Sequence, residues 1–96
     1  MPPVEYLPNA RLDFDESFDW YAVKSVRAAA RFAGAVEAAL IRIVSNPTQF
    51  ARLDEMHREC PVKNFPYRIV YRITDNRILV VAIAHAKRRP GYWRRF

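Results

Sequence analysis

Residues 66–96 read PYRIVYRITDNRILVVAIAHAKRRPGYWRRF, and they contain the strongest strand signals in the chain. β-branched and aromatic residues dominate the runs on either side of Asp75-Asn76, as is typical of β-strands. Asp75 and Asn76 suit a two-residue turn between two such runs. The stretch therefore predicts an antiparallel β-hairpin that leads into a tail crowded with arginine and aromatic residues.

The turn also predicts which residues share a face of this hairpin. With a two-residue loop at Asp75-Asn76, Thr74 lies opposite Arg77 and pairing continues outward one residue at a time. Side chains alternate between the two faces, so one face is wholly apolar or aromatic. That face carries Tyr67, Ile69, Tyr71 and Ile73 opposite Ala84, Ala82, Val80 and Ile78. The helices are predicted to pack on this face.

The other face of the predicted hairpin is mixed. It carries Arg68, Val70 and Arg72, with His85 diagonal to Arg68 and the basic residues of the tail following directly. Two arginines and a histidine are thus expected to gather on the side that the helices leave open, as a working surface. The alternative is that these arginines lie over an apolar sheet and meet only water or Glu59, as long basic side chains commonly do.

Upstream of the hairpin, two apolar stripes recur at helical spacing. The first consists of Ala10, Phe14, Phe18 and Tyr21, and the second of Phe32, Val36, Leu40 and Ile43. One unbroken helix from Asn9, a good N-cap, to Val44 would be about 54 Å long, whereas a chain of this size has a radius of gyration of about 13 Å. We therefore predict a break near Ser25, which can cap the second helix. Pro47 ends that helix.

The remaining segments complete the predicted fold. Residues 3–7 alternate as a short strand added to the sheet. Residues 48–55 are expected to be irregular, with Phe50 and Leu53 beneath the helices, and residues 57–65 show strand character. The sequence thus predicts an α+β fold in one domain, 1–96. It has a short N-terminal strand, an antiparallel helical hairpin, and a three-stranded antiparallel sheet with the helices on one face.

Composition excludes several classes of function. With 96 residues the chain can build one small core. Two glycines leave no room for a glycine-rich nucleotide loop, and no zinc-protease motif or nucleophile elbow appears. The single Cys60 excludes a disulfide framework, and His57 has no ligand partner at metal spacing. No signal peptide or membrane-length apolar run is present. We expect a cytoplasmic protein without metal or cofactor.

Positive charge is concentrated at the hairpin end. Residues 1–57 hold six Lys or Arg against eight Asp or Glu, a net of −2, whereas residues 58–96 hold ten against two, a net of +8. A concentrated positive surface attracts phosphate-bearing or acidic partners and speeds their capture. The alternative is a solvated basic face without a ligand. The charge distribution therefore favours a polyanionic or acidic partner for the hairpin and tail.

The order of the predicted elements and three short motifs are similar to those of a known superfamily. Strand, helix, helix and three strands occur in that order, with SNP at 45–47 after the second helix, FPYRIVYR at 65–72 and HAKRRPGYW at 85–93. This pattern resembles the RelE/ParE superfamily of type II toxin–antitoxin toxins over nearly the whole chain. The resemblance implies a small toxin held inactive, in a hetero-oligomeric complex, by a ParD/RelB-like antitoxin whose disordered segment folds across it.

Two activities compete within that superfamily. RelE-like members are ribosome-dependent endoribonucleases that cleave mRNA, and the resemblance would make Arg68, Arg88 and Tyr92 the catalytic residues. ParE-like members bind DNA gyrase and trap cleaved DNA without chemistry of their own. RelE places two lysines on the strand before the hairpin, whereas Lys63 stands alone here. Losing one cation weakens stabilisation of charge in a phosphate transition state.

The absence of the second lysine beside Lys63, and the resemblance of residues 85–93 to ParE-type proteins, favour a ParE-like gyrase inhibitor. A RelE-like endoribonuclease is the first alternative, and a non-toxic relative that only binds antitoxin is the second. The predicted surface for target or antitoxin consists of basic and aromatic side chains. These are Lys63, Arg68, Arg72, His85, Lys87, Arg88, Arg89, Tyr92 and Trp93.

Overall fold

The computed structural model describes residues 3–95, which form two α-helices, one 3₁₀ helix and one sheet. The elements are β1 (Val4–Tyr6), α1 (Pro8–Lys24), α2 (Val26–Ser45), β2 (Ala51–Arg52), β3 (Arg58–Val62), β4 (Tyr67–Thr74), β5 (Arg77–His85) and a C-terminal 3₁₀ helix (Tyr92–Arg95). The sheet has five strands in the order β1-β5-β4-β3-β2. β1 runs parallel to β5, and the other pairs are antiparallel.

The α+β class is confirmed, but the prediction of a three-stranded sheet is wrong. β3, β4 and β5 are the predicted strands, and β1 joins them as expected. β2 was missed inside the segment expected to be irregular, because it is only two residues long and pairs Ala51 with Glu59 and Arg52 with Arg58. Two residues are too few to show a period in the sequence.

The helical hairpin breaks where the sequence predicts. Ser25 has an extended backbone (φ −169°, ψ 125°), and its hydroxyl accepts a hydrogen bond from the Ala28 N–H at 3.2 Å. The predicted N-cap at Asn9 is wrong, because α1 already begins at Pro8 after Leu7. Proline suits this first position, since the N–H that it lacks would have no partner inside the helix.

A β-bulge shifts the register halfway along the β-hairpin. Asp75 and Asn76 both have positive φ (47° and 61°), which matches a two-residue turn to the twist of the strands. Pairing follows the prediction from the turn as far as Tyr71 opposite Val80. Val70 then pairs with Ala82, so Val81 is the extra residue. From Ala82 to His85, each residue of β5 is shifted by one in register and therefore lies on the face opposite to the predicted one.

The bulge moves His85 away from the face where it was predicted. His85 pairs with Tyr67, and their ring centroids lie 4.9 Å apart. It therefore lies on the helix side of the sheet, and the prediction that its side chain shares the sheet face of Arg68 is wrong. Ala82 and Ala84 move the opposite way, into a cluster of buried residues on the second face, which is the face turned away from the helices.

The main core lies between the helices and the sheet. Both predicted stripes pack into it, and Phe32 is central, with ring centroids 5.0 Å from Tyr67, 5.2 Å from Tyr21 and 5.6 Å from Phe65. The fully or nearly buried members are Ala10, Phe32, Val36, Ala39, Ile43, Cys60, Val62, Ile69, Tyr71, Ile78, Val80 and Ile83. Ile73 was predicted to belong here but is 42% exposed near the hairpin turn.

A smaller core occupies the second face, which the helices leave uncovered. Tyr92 and Trp93 of the 3₁₀ helix pack there with Val70, Val81, Ala82 and Ala84. Leu53 contacts this smaller core rather than lying beneath the helices as predicted. The tail after β5 therefore folds back over the sheet and seals part of the face that was expected to be open.

Candidate binding surface

A groove of about 140 Å³ lies where the tail meets the second face of the sheet. Its polar lining includes Glu59, Arg68, His85, Arg88, Arg89 and Arg94. Arg68 is half exposed, and its Nη1 lies 2.9 Å from Glu59 Oε1. Exposed pairs of this kind contribute about 0–1 kcal/mol. The pair with Glu59 is therefore weak: it orients the Arg68 guanidinium but contributes little to stability. The guanidinium stays accessible beside the groove.

Tyr92, predicted as a catalytic or surface residue, is buried and hydrogen-bonded. Its hydroxyl donates to Asp13 Oδ2 at 2.9 Å, and the Arg88 guanidinium lies 3.9 Å from its ring centroid. Burial, and then the neighbouring Asp13 charge, raise the pKa of Tyr92 well above its usual value. The hydroxyl therefore keeps its proton and acts as a structural donor, while Arg88 covers the ring.

The Asp13 carboxylate accepts a hydrogen bond from the edge of β5 beyond the end of β1, a contact that was not predicted from the sequence. β1 follows β5 only as far as Val80, whose carbonyl accepts from the Leu7 N–H before the chain turns into α1. Beyond that point the Ile83 N–H donates to Asp13 Oδ2 at 3.1 Å. Asp13 thereby joins α1, the edge of β5 and the tail. Burial raises its pKa, and the hydrogen bonds from Tyr92 and Ile83 oppose that shift.

Trp93, also predicted as a surface residue, is 5% exposed and anchors the tail to the turn before β3. Its ring centroid lies 4.6 Å from that of His57. His57 Nδ1 lies 2.9 Å from Asp54 Oδ1, and Arg94 Nη2 donates to Asp54 Oδ2 at 3.1 Å. The backbone N–H groups of Met56 and His57 also donate to Asp54. These hydrogen bonds, that of Met56 first, hold the pKa of Asp54 well below its usual range.

The other predicted surface residues do not all come together. Arg68, His85, Arg88 and Arg89 line the groove at the tail. Lys63, in the turn between β3 and β4, and Lys87 are exposed but do not line it. Arg72 lines a different depression near the hairpin turn. The groove and its exposed arginines are therefore the candidate binding surface, while Tyr92 and Trp93 support it from beneath.

Neither a metal site nor a membrane span is found between residues 3 and 95. No group of three or more His, Cys, Asp or Glu side chains in this range is placed to hold a metal ion. Among the helices described, none combines the length and apolar character needed to cross a bilayer.

Comparison of the chain with known protein families and structures identifies its family. The family model for the ParE toxin of the type II toxin-antitoxin system parDE matches residues 4–90. A chain from the chromosomal ParDE TA system of P. aeruginosa superimposes with a TM-score of 0.62 at 19% sequence identity, covering 91% of this chain and 98% of that one. No curated protein sequence matches the chain. Because the family model spans nearly all of its elements, this chain belongs to the ParE toxin family of type II toxin–antitoxin systems.

Proposed function

We propose that the protein inhibits DNA gyrase by binding it, and that a ParD-like antitoxin neutralises it in a hetero-oligomeric complex. The observation that carries this proposal is the state of Tyr92, whose buried hydroxyl donates a hydrogen bond to Asp13 Oδ2. A RelE-like nuclease would need free groups to move protons at the phosphate. Arg88 is likewise stacked over the Tyr92 ring. These residues stabilise the surface rather than offering a reaction centre.

Charge supports a binding role for the groove. Residues 58–96 carry a net charge of +8, and Arg68 and Arg89 present guanidinium groups there. Complementary charge across an interface accelerates encounter and fixes the register of the partners. An acidic antitoxin segment would cover the same surface that meets the target. The free Cys60 thiol fits the reducing cytoplasm, where gyrase acts.

The first test is a supercoiling assay with purified gyrase and relaxed plasmid. We expect the protein to block supercoiling and to leave cleaved DNA. Arg68→Ala should weaken inhibition roughly tenfold, equivalent to about 1.4 kcal/mol of binding free energy. Arg88→Ala should weaken it similarly. Arg77→Ala is the matched control, because Arg77 is also half exposed and paired with a glutamate, Glu5, but lies at the hairpin turn.

The same preparation distinguishes the alternatives. Codon-register cleavage of ribosome-bound mRNA, with gyrase unaffected, would replace the proposal with the RelE-like activity. Antitoxin binding without effect on gyrase, ribosomes or growth would place the chain among non-toxic relatives. Equal losses of gyrase inhibition in Arg68→Ala and Arg77→Ala would show that the groove is not part of the target-binding surface.

A further inference from the structure

A second basic depression lies at the hairpin-turn end of β4, away from the groove at the tail. Its volume is about 230 Å³. Half of its lining residues are arginine or histidine, namely Arg52, His57, Arg58 and Arg72. A water molecule occupies about 30 Å³ in the liquid, whereas clefts for drug-sized ligands begin at about 300 Å³. The depression is thus of a size for a small anionic group.

Arg72 is the unusual member of this set. Its neighbours have acceptors: Arg52 donates to the Glu55 carbonyl at 2.8 Å, and Arg58 donates to the Thr48 carbonyl at 3.0 Å. Arg72 is only partly exposed, and its Nε is buried with no acceptor among the described residues. A buried donor without an acceptor is destabilising, because it has given up its hydrogen bond to water. Its guanidinium is always charged and presents donors in a planar fork.

His57 forms another part of the wall, and its ring is held in place. Its Nδ1 lies 2.9 and 3.0 Å from the two oxygens of Asp54, while the ring packs on Trp93. With Nδ1 facing the Asp54 carboxylate, Nε2 is the nitrogen left for a ligand; it is an acceptor in the neutral ring and donates to an anion in the imidazolium form, in which both nitrogens carry protons. A fixed ring also loses little conformational entropy when it binds.

The balance of charge around the depression is positive. Arg52, Arg58 and Arg72 face one lining carboxylate, Glu55. Asp54 lies behind His57 and is already hydrogen-bonded by His57 and Arg94. An incoming anion therefore meets more cationic than anionic side chains. Thr74 also lines the site, and its side chain carries a neutral hydroxyl donor.

We propose that this depression binds a phosphate group, with Arg72 as the principal ligand and Arg52, His57 and Thr74 supporting it. The fork of an arginine matches two oxygens of one phosphate, which favours phosphate recognition at such a site. The phosphate would belong either to a small phosphate ester or to a nucleic-acid backbone. This site is separate from the groove at the tail, so it does not depend on the gyrase proposal.

Nuclear magnetic resonance of the full-length, isotope-labelled protein tests the site directly. Inorganic phosphate is titrated at constant ionic strength, and the Arg72 Nε–H and His57 ring signals are followed. We expect saturable shifts at both residues. Arg72→Gln should weaken phosphate binding at least tenfold, whereas Arg27→Gln, which changes an exposed arginine on α2, should leave it unchanged.

Competition then identifies the source of the phosphate. Displacement of inorganic phosphate by a short thymidine oligonucleotide would support a nucleic-acid backbone, and displacement only by a phosphate monoester would support a small ligand. Absence of saturable shifts at Arg72 in the unmodified protein would overturn the proposal, whether or not the Arg72→Gln protein folds. Equal binding of acetate would also overturn it, because a phosphate site must prefer phosphate to a carboxylate.

Discussion

Replacing Trp93 by alanine is expected to lower the free energy of unfolding by about 3–5 kcal/mol, the range found for large aromatic residues removed from cores. Trp93 is 5% exposed and contacts both the His57 ring and the smaller core on the second face. Its removal would leave a cavity and expose Val70 and Ala84. Urea denaturation, followed by circular dichroism at several protein concentrations, measures the loss.

Trp20→Ala is the matched control for this substitution. Trp20 is 56% exposed and contacts the Tyr21 ring and the Lys24 ammonium. Such exposed contacts are worth about 1 kcal/mol or less. We therefore expect Trp20→Ala to change stability by a small fraction of the Trp93→Ala effect. Equal effects of the two substitutions would show that the tail does not form part of the folded core.

Asp13→Ala is expected to lower the free energy of unfolding by about 2–4 kcal/mol, because it leaves two donors without their acceptor. The Ile83 N–H and the Tyr92 hydroxyl both donate to Asp13 Oδ2. Asp13→Asn should be much less costly, since the amide oxygen can accept from both. Its neutral side chain also avoids the burial of charge that raises the Asp13 pKa.

A double-mutant cycle isolates the contact between the tail and α1. Tyr92→Phe removes one donor to Asp13 and keeps the ring that Arg88 covers. The cycle of Asp13→Ala with Tyr92→Phe should show a coupling of about 1 kcal/mol. Coupling indistinguishable from zero would mean that Asp13 stabilises the protein without holding the tail.

The helical half of the fold was predictable because its constraints are local. The apolar stripes identify two helices, the length of the chain forbids a single straight one, and Ser25 provides the cap where the break occurs. The turn at Asp75-Asn76 likewise determined pairing as far as Tyr71 and Val80. Each of these features depends on residues close together in the sequence.

The second half of β5 was not predictable by the same reasoning. Residues 78–84 are apolar throughout, so a one-residue shift places apolar side chains on both faces and the pattern does not select a register. Close to the bulge at Val81, the Ile83 N–H donates to Asp13 Oδ2, a tertiary contact between residues far apart in the sequence. The predicted position of His85 was wrong because the apolar pattern does not select a register.

The burial of Tyr92 and Trp93 was not predicted, because these two aromatic residues stand among arginines. That setting is typical of an exposed binding segment, yet Tyr92 and Trp93 are buried. The second face itself indicated that something must pack on it. Val70 and Val81 are apolar and were predicted on this face, which the helices do not cover. Which of the tail's side chains would provide that cover depends on how the chain turns at Gly91, where φ is +75°.

Growth of bacteria that express Tyr92→Phe tests the proposal that the protein acts by binding, with Tyr92 in a structural role. The unmodified protein, expressed without antitoxin, should arrest growth. Tyr92→Phe should arrest growth to the same extent once soluble levels are matched, because the hydroxyl serves only the hydrogen bond to Asp13. Arrest by the unmodified protein together with normal growth of cells containing equal soluble Tyr92→Phe would contradict the proposal.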